Sequence, residues 1–332
     1  MTFPERRLRR LRRTPALRRM VAETRLDTND LVAPLFVREG ISVPQPIASL
    51  PGVVQHTVDS LRREAEELVA LGVPAVILFG VPLHKDPEGT QSCDPEGIVQ
   101  VALRALRDDL GDDVVLIADL CVDEYTDHGH CGIVGEDGRV DNDATLELYA
   151  AAAVAQARAG ADIVAPSGMM DGQVAAIRYA LDQDDHEEVP ILAYAAKYAS
   201  ALYGPFRDAV DVTIVARDGQ AGDRKGYQQD PANVRESMEE MEQDLAEGAD
   251  MLMVKPALAY LDVIARARQR FDVPLAAYHV SGEYAMVKAA GLQGWIDADA
   301  VLREHLLGIK RAGADLILTY AAREIAEELS RA

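Results

Sequence analysis

The sequence predicts an α/β protein, a TIM (β/α)8 barrel with an extended N-terminal arm, on three observations. Eight short apolar runs recur along 332 residues, segments of helical period separate most of them, and no GxGxxG turn opens a helix. Near-continuous apolar runs mark strands covered on both faces, as in a parallel sheet. Eight strand and helix alternations favour a closed barrel over an open doubly wound sheet. The missing glycine fingerprint disfavours the main competitor, a dinucleotide-binding fold. A hydrophobic content of 48% supports a large core. No composition break divides it, so residues 1–25 are expected as an arm for subunit contacts and 26–332 as a single barrel.

In chain order the runs fall at 32 to 37 (VAPLFV), 74 to 80 (PAVILFG), 114 to 121 (VVLIADLC) and 162 to 168 (DIVAPSG). The second half supplies 190 to 197 (PILAYAAK), 250 to 256 (DMLMVKP), 274 to 282 (PLAAYHVSG) and 316 to 320 (LILTY). Helical period appears between them at 58 to 71 (VDSLRREAEELVAL), 144 to 159 (ATLELYAAAAVAQARA) and 231 to 247 (PANVRESMEEMEQDLAE). The last has Asp230 as its expected N-cap, Pro231 at its first helical position and Gly248 just past its end.

A barrel of this kind collects function at the C-terminal ends of its strands. Asp119, Ser167, Lys197, Lys255, Ser281 and Tyr320 close strands three to eight in turn. Each alone is an ordinary strand-to-loop residue. Six polar residues on one rim, two of them lysines, point to a site.

The lysines carry the chemistry. Only six occur among 34 basic residues, so the chain writes arginine wherever a plain positive charge suffices. An amine can shed its proton and attack a carbonyl to form a Schiff base, whereas a guanidinium stays charged at working pH. The plain alternative is a pair of snorkelling lysines.

Formal charge is −21, with 34 basic against 55 acidic residues, which disfavours a nucleic-acid surface on the body of the protein. The arm is the exception, carrying Arg6, Arg7, Arg9, Arg10, Arg12, Arg13, Arg18 and Arg19. A transit peptide and a nucleic-acid contact are two readings of such an arm. Docking on the acidic surface of a sister subunit is preferred, because that partner is already given by the sequence. Nothing approaches an 18-residue apolar run, and the three cysteines, Cys93, Cys121 and Cys131, make no disulfide framework. A reducing cytoplasm is expected, with no membrane and no nucleic-acid partner.

The strings MVKPALAYLD, YAAKYASALYGPFRDA, GDRKGYQQDPANVRES, APSGMMDGQV, DHGHCG and YHVSGEYAM closely resemble the porphobilinogen synthase family, also called delta-aminolevulinic acid dehydratase. The resemblance runs from LVAPLFVREG to GADLILTY, nearly the whole chain. It implies a lyase of haem and porphyrin biosynthesis that condenses two 5-aminolevulinate molecules to porphobilinogen, in a barrel whose arm grips a neighbour. By motif, Lys255 is expected to form the Schiff base to the molecule supplying the propionate side and Lys197 to hold the molecule supplying the acetate side. Arg207 and Arg224, with Gln228, are expected to clamp the acetate-side carboxylate. Ser281 and Tyr320 are expected to receive the other, and Tyr278 and Asp119 complete the implied substrate contacts. Surface pairing of the two arginines with the adjacent Asp208 and Asp223 is the alternative that the residues alone would favour.

One of the two lysines must be neutral to react. Taking a lysine from ~10.4 to about 7 means disfavouring its charge by roughly 4 to 5 kcal/mol. A single cation at ~4 Å, in an effective dielectric near 20, contributes about 4 kcal/mol. The second lysine, or a metal, supplies most of such a shift.

The segment ADLCVDEYTDHGHCG raises the metal question. Family members carry either three cysteines or acidic residues here; this chain is a hybrid, Cys121, Asp123 and Cys131. Two thiolates and a carboxylate give three ligands with one open position, the form of a catalytic zinc site, and the carboxylate opens it partly to magnesium. Two buried cysteines beside a loop aspartate that bind nothing are the alternative. His128 and His130 are candidate partners of the ligands.

A second cation site is expected where Glu236, Glu239 and Glu240 crowd one helix, since the Glu236 to Glu240 pair is a like-charge i,i+4 contact. The resemblance makes Glu240 a magnesium ligand at a subunit interface that favours a homo-octamer. The arginine arm of another subunit, or a solvated acidic face, would also account for it. Three further departures stand out: Gly168 where the family often has aspartate, Cys93 as a free thiol in the expected lid, and a stretch from 208 to 222 (DAVDVTIVARDGQAG) longer than the common pattern.

Two other functions remain in view: a different Schiff-base barrel such as a class I aldolase, and a catalytically silent metal-dependent assembly protein. Two lysines with two carboxylate clamps fit a condensation of two keto acids better than an aldolase.

Overall fold

The computed structural model describes residues 2–215 and 222–331. Eight strands form the wall of a barrel: β1 (Leu31–Arg38), β2 (Ala75–Val81), β3 (Val115–Leu120), β4 (Ile163–Pro166), β5 (Leu192–Lys197), β6 (Met251–Lys255), β7 (Leu275–His279) and β8 (Leu316–Thr319). They pair in the order β4-β3-β2-β1-β8-β7-β6-β5, each pair parallel. The remaining seam is narrowed by one parallel bridge, Val164 to Ile191, with the Val164 N–H donating to the Pro190 carbonyl at 3.2 Å. The barrel is therefore nearly closed. Each expected run overlaps a strand, and all but the end of the run at 274 to 282 agree with it to within two residues.

The strands hold because nearly every side chain in them is buried, the pattern of a sheet covered on both faces. Pro34 in β1 is tolerated where the register with β8 has already ended at Val32. A short hairpin, 45–46 against 54–56, adds Gln55 and His56 to the end of β1.

Among the described residues, eight of the α-helices alternate with the strands and cover the outside: α1 (Val58–Ala70), α2 (Ile98–Leu110), α3 (Asn142–Arg158), α4 (Gln173–Gln183), α5 (Arg235–Glu247), α6 (Leu261–Arg270), α7 (Ala298–Ala312) and α8 (Ala322–Ser330). In α1, Thr57 caps the Ser60 N–H, and Leu61, Ala65 and Leu68 form its buried stripe at helical spacing. Alanine is the commonest residue on the buried face of α3, where Tyr149 is the one aromatic side chain.

Two expected boundaries are corrected. α5 begins at Arg235, not Pro231, because Asp230 closes a turn: its carboxylate accepts from Ala232 N–H at 2.8 Å and its carbonyl from Asn233 N–H at 2.9 Å. The residue types that cap a helix also build an aspartate turn. The far end is as expected, with Gly248 at φ +109°. β7 stops at His279, and Ser281 opens an extra helix, Ser281–Leu292.

Residues Leu8–Arg12 and Pro15–Met20 are helical, and none of their side chains is buried within this chain.

Candidate active site

Lys197 ends β5 and Lys255 ends β6, and the two are register partners on neighbouring strands. Both are buried, at 4% and 5% exposure. Their surroundings differ. The Lys255 amine sits among aromatic faces, 4.4 Å from the Tyr278 ring centre, 5.1 Å from those of Tyr194 and Phe206 and 5.4 Å from that of Tyr203. Burial, then the charge of Lys197, pushes its pKa down to about 7. The Lys197 amine donates to the Ser167 carbonyl at 2.5 Å. Burial opposes its charge as well, but Cys131, Cys121, Asp123 and Asp119 together outweigh burial and hold it above its usual range.

Asp119 lies buried beside both amines. Burial raises its carboxyl above the usual range, against the opposing pull of Lys255 and Lys197. Its Oδ2 accepts from Ser167 Oγ at 3.1 Å, whereas Oδ1 and the Tyr194 hydroxyl are buried without partners among the described residues.

The predicted clamp residues converge as donors. Arg224 Nη2 donates to Asp123 at 2.6 Å and to the Gly129 carbonyl at 2.7 Å. Its Nε, the Arg207 Nε and the Gln228 Nε2 are buried and have no acceptor among the described residues. Burial, and then the charge of Arg224, lowers Arg207, so the two guanidiniums share one region. Buried donors without acceptors are costly, and a ligand carboxylate would satisfy them. The surface pairing alternative does not hold for Arg224, because Asp223 lies 3.7 Å from Lys225 instead.

Ser281 is differently engaged. Its hydroxyl accepts from Phe206 N–H at 3.0 Å and points to the Leu202 carbonyl at 3.4 Å, tying down the short helix Gly204–Ala209 that carries Arg207. A Cβ on Gly282 would stand 2.4 Å from that same carbonyl, so only glycine permits this approach. The Tyr320 and Tyr278 hydroxyls lie 3.1 Å apart.

Cys121, Asp123 and Cys131 meet in the core beside Lys197, each offering a ligand atom within 4.8 Å of the others. The donor set, two sulfurs and a carboxylate oxygen, suits a borderline-soft cation such as zinc. Among the described residues, the His128 and His130 rings make no hydrogen bond to the three ligand side chains. His130 Nδ1 lies 3.2 Å from the Tyr227 hydroxyl, which accepts from the Cys131 N–H at 3.2 Å. Tyr227 is therefore the link that sequence reasoning missed.

Glu240 is half-buried on α5, and burial followed by the charges of Asp171, Glu236, Glu247 and Glu239 pushes it up to about 7. Asp244, one turn on, is pushed up to about 8, first by burial and then by Glu240. Cys93 is a free thiol as expected, but it lies against α3, its sulfur 3.8 Å from the Leu148 carbonyl, in a groove lined by Ala150, Ala151 and Val154. Of the long stretch from 208 to 222, residues 216–221 lie outside the described residues. The flanking Val215 N–H donates to the His128 carbonyl at 3.1 Å.

Comparison with known proteins bears directly on this arrangement. The model of the family described as delta-aminolevulinic acid dehydratase matches residues 5–328. The delta-aminolevulinic acid dehydratase of Streptomyces coelicolor is 59% identical over 330 residues, covering 99% of this chain and 98% of that one. Its counterpart from Mycobacterium tuberculosis is 57% identical over 327 residues, covering 98% of each. Among solved structures, the Toxoplasma gondii delta-aminolevulinic acid dehydratase, in complex with its reaction product porphobilinogen, superposes with a TM-score of 0.94 at 44% identity, covering 97% of this chain and 91% of that one.

Proposed function

The chain belongs to the delta-aminolevulinic acid dehydratase family, and we propose that it is a porphobilinogen synthase, a hydro-lyase of tetrapyrrole and haem biosynthesis. It joins two 5-aminolevulinate molecules into porphobilinogen with loss of two waters. The observation that carries the reading is the buried pair of neighbouring lysines with opposite charge tendencies, Lys255 falling to about 7 and Lys197 rising.

Lys255 supplies the neutral amine. Its nitrogen attacks the ketone of the propionate-side substrate, and loss of one water leaves an imine. Lys197, held charged at rest, lowers the Lys255 pKa and orients the acetate-side substrate. It forms the second Schiff base once a proton is taken from it. Asp119, buried with one oxygen unpartnered, is suited to hold and return a proton between the two amines. Arg207 and Arg224, with Gln228, take the acetate-side carboxylate through their unpartnered donors. Ser281 and Tyr320 face the other carboxylate, Ser281 after exchanging one of its bonds to the 202–206 segment. Tyr278, over the Lys255 amine, shields the imine from water.

Cys121, Asp123 and Cys131 would hold a zinc ion, which when bound supplies a Lewis acid beside the acetate-side substrate. Glu240 would hold a magnesium ion, relieving the mutual repulsion that raises it. The basic arm, residues 1–25, joins this acidic chain to its neighbours in a homo-octamer, with residues 26–332 as the catalytic barrel. No helix among the described residues is long and apolar enough to cross a membrane, and free thiols suit a cytoplasmic enzyme.

Incubation of the purified protein with 5-aminolevulinate, followed by colorimetric detection of porphobilinogen with and without zinc and magnesium, tests the assignment. Pyrrole formation supports it, and none under any metal condition rejects it.

A further inference from the structure

Tyr149 projects from α3 as a fully buried ring, the one aromatic on a face it shares with Thr145, Gln156 and three alanines. Its hydroxyl lies 3.5 Å from the Cys121 sulfur and 3.1 Å from the Cys131 carbonyl oxygen. The ring fits there because residue 168, just past β4, is glycine: a Cβ at that position would stand 2.1 Å from the Tyr149 hydroxyl oxygen and 2.5 Å from Cζ. An overlap of that size is relieved only by moving the buried ring out of its place. The tyrosine and the glycine are thus two halves of one arrangement, and the space that a side chain at 168 would fill holds a phenol aimed at a sulfur.

We propose that Tyr149 is a positioning residue of the Cys121, Asp123 and Cys131 metal site, its hydroxyl donating to the Cys121 thiolate when a cation is bound. The inference rests on the reading of that trio as a metal site. A phenol has one hydrogen and here faces two acceptors. The Cys131 carbonyl, at 3.1 Å against 3.5 Å for the Cys121 sulfur, is the nearer and harder acceptor and holds that hydrogen in the metal-free chain. An ionised sulfur is a far better acceptor, so metal loading turns the hydrogen toward Cys121. Such a bond fixes the sulfur and spreads its charge, as partners of metal ligands commonly do. It also offsets the use of a hard carboxylate, Asp123, in a site where Asp123 is shared with Arg224.

The test uses the full-length protein loaded with Co(II), whose thiolate charge-transfer band reports electron density on sulfur, together with zinc affinity from competition with a chromophoric chelator. Tyr149→Phe keeps the ring in the Gly168 notch and removes only the hydroxyl. Expected are a shift of the band to lower energy and zinc binding weakened roughly 10-fold or more, with the melting temperature of the metal-free protein lowered only by the loss of the bond to the Cys131 carbonyl. Tyr149→Leu combined with Gly168→Ala carries the same test with a refilled notch, should the phenylalanine variant fold poorly. Zinc affinity and band position equal to those of the unmodified protein in either variant overturn the proposal. A different failure separates the underlying reading: if the unmodified protein shows no thiolate band, or Cys131→Ala leaves it intact, the trio is not a metal site and the proposal falls with it.

Discussion

Lys197 and Lys255 lie side by side as register partners at the ends of β5 and β6, yet one is held above its usual pKa and the other pushed down to about 7. The cause is what each touches. Aromatic rings surround Lys255, whereas two cysteines and two aspartates outweigh the burial of Lys197. Two identical residues at equivalent positions thereby acquire opposite charge tendencies.

That asymmetry sets a pH dependence. The charged form of Lys255 is disfavoured in the folded chain, so the amine becomes reactive as pH rises through about 7 rather than 10.5. The folded state then binds fewer protons than the unfolded state between those values, so this group lowers stability fully below about 7, and the penalty fades as pH climbs to 10.5. Borohydride trapping of a γ-keto acid on Lys255, measured against pH, should rise through about 7. In Lys197→Met the same limb should move to higher pH, because the second cause of the depression has gone; an unmoved limb would leave burial alone responsible.

Removing metal ligands should act in order of their softness. Chelation should abolish activity, and zinc should restore it better than magnesium. Cys131→Ala leaves two ligands and should cost most of the activity at limiting zinc, whereas Asp123→Cys should tighten zinc binding. Elemental analysis alongside activity decides this, and full activity with no bound metal would assign the trio a purely structural role.

The acidic cluster on α5 predicts a cation-linked assembly. Glu240 and Asp244 keep protons up to about 7 and about 8, more tightly than when unfolded, so the metal-free protein should lose stability as pH rises from about 4 through 8. Magnesium should reverse that loss. Glu240→Ala, or deletion of residues 1–19, should shift the assembly to smaller species with a parallel loss of activity. Light scattering with and without magnesium measures it, and an assembly of unchanged size in both variants would refute the idea.

Gly282→Ala tests the anchoring of the segment that bears Arg207. The added Cβ meets the Leu202 carbonyl at 2.4 Å, a backbone atom that cannot swing aside. Expected are a destabilisation of about 1 to 3 kcal/mol and a raised KM for 5-aminolevulinate, read from thermal melts and steady-state kinetics. Unchanged values would mean that this segment moves freely without consequence.

The strands were legible because buried parallel strands leave continuous apolar runs, and Lys197 and Lys255 were legible because lysine is rare in this chain. The start of α5 was not, since Asp230 and Pro231 suit a turn as well as a cap. Nor was the notch of Gly168 and Tyr149, a contact between a loop and a helix 19 residues apart that no local pattern encodes. The one hint was a lone aromatic in an alanine run. The engagement of Ser281 with Phe206 was equally hidden, because it joins residues 75 apart.

Peptide mapping after borohydride reduction in the presence of 5-aminolevulinate tests the central claim most directly. The account predicts a stable adduct on Lys255, and a Lys255→Arg variant that folds, keeps its assembly and loses both label and porphobilinogen formation. An adduct found only elsewhere, or an active Lys255→Arg enzyme, would contradict it.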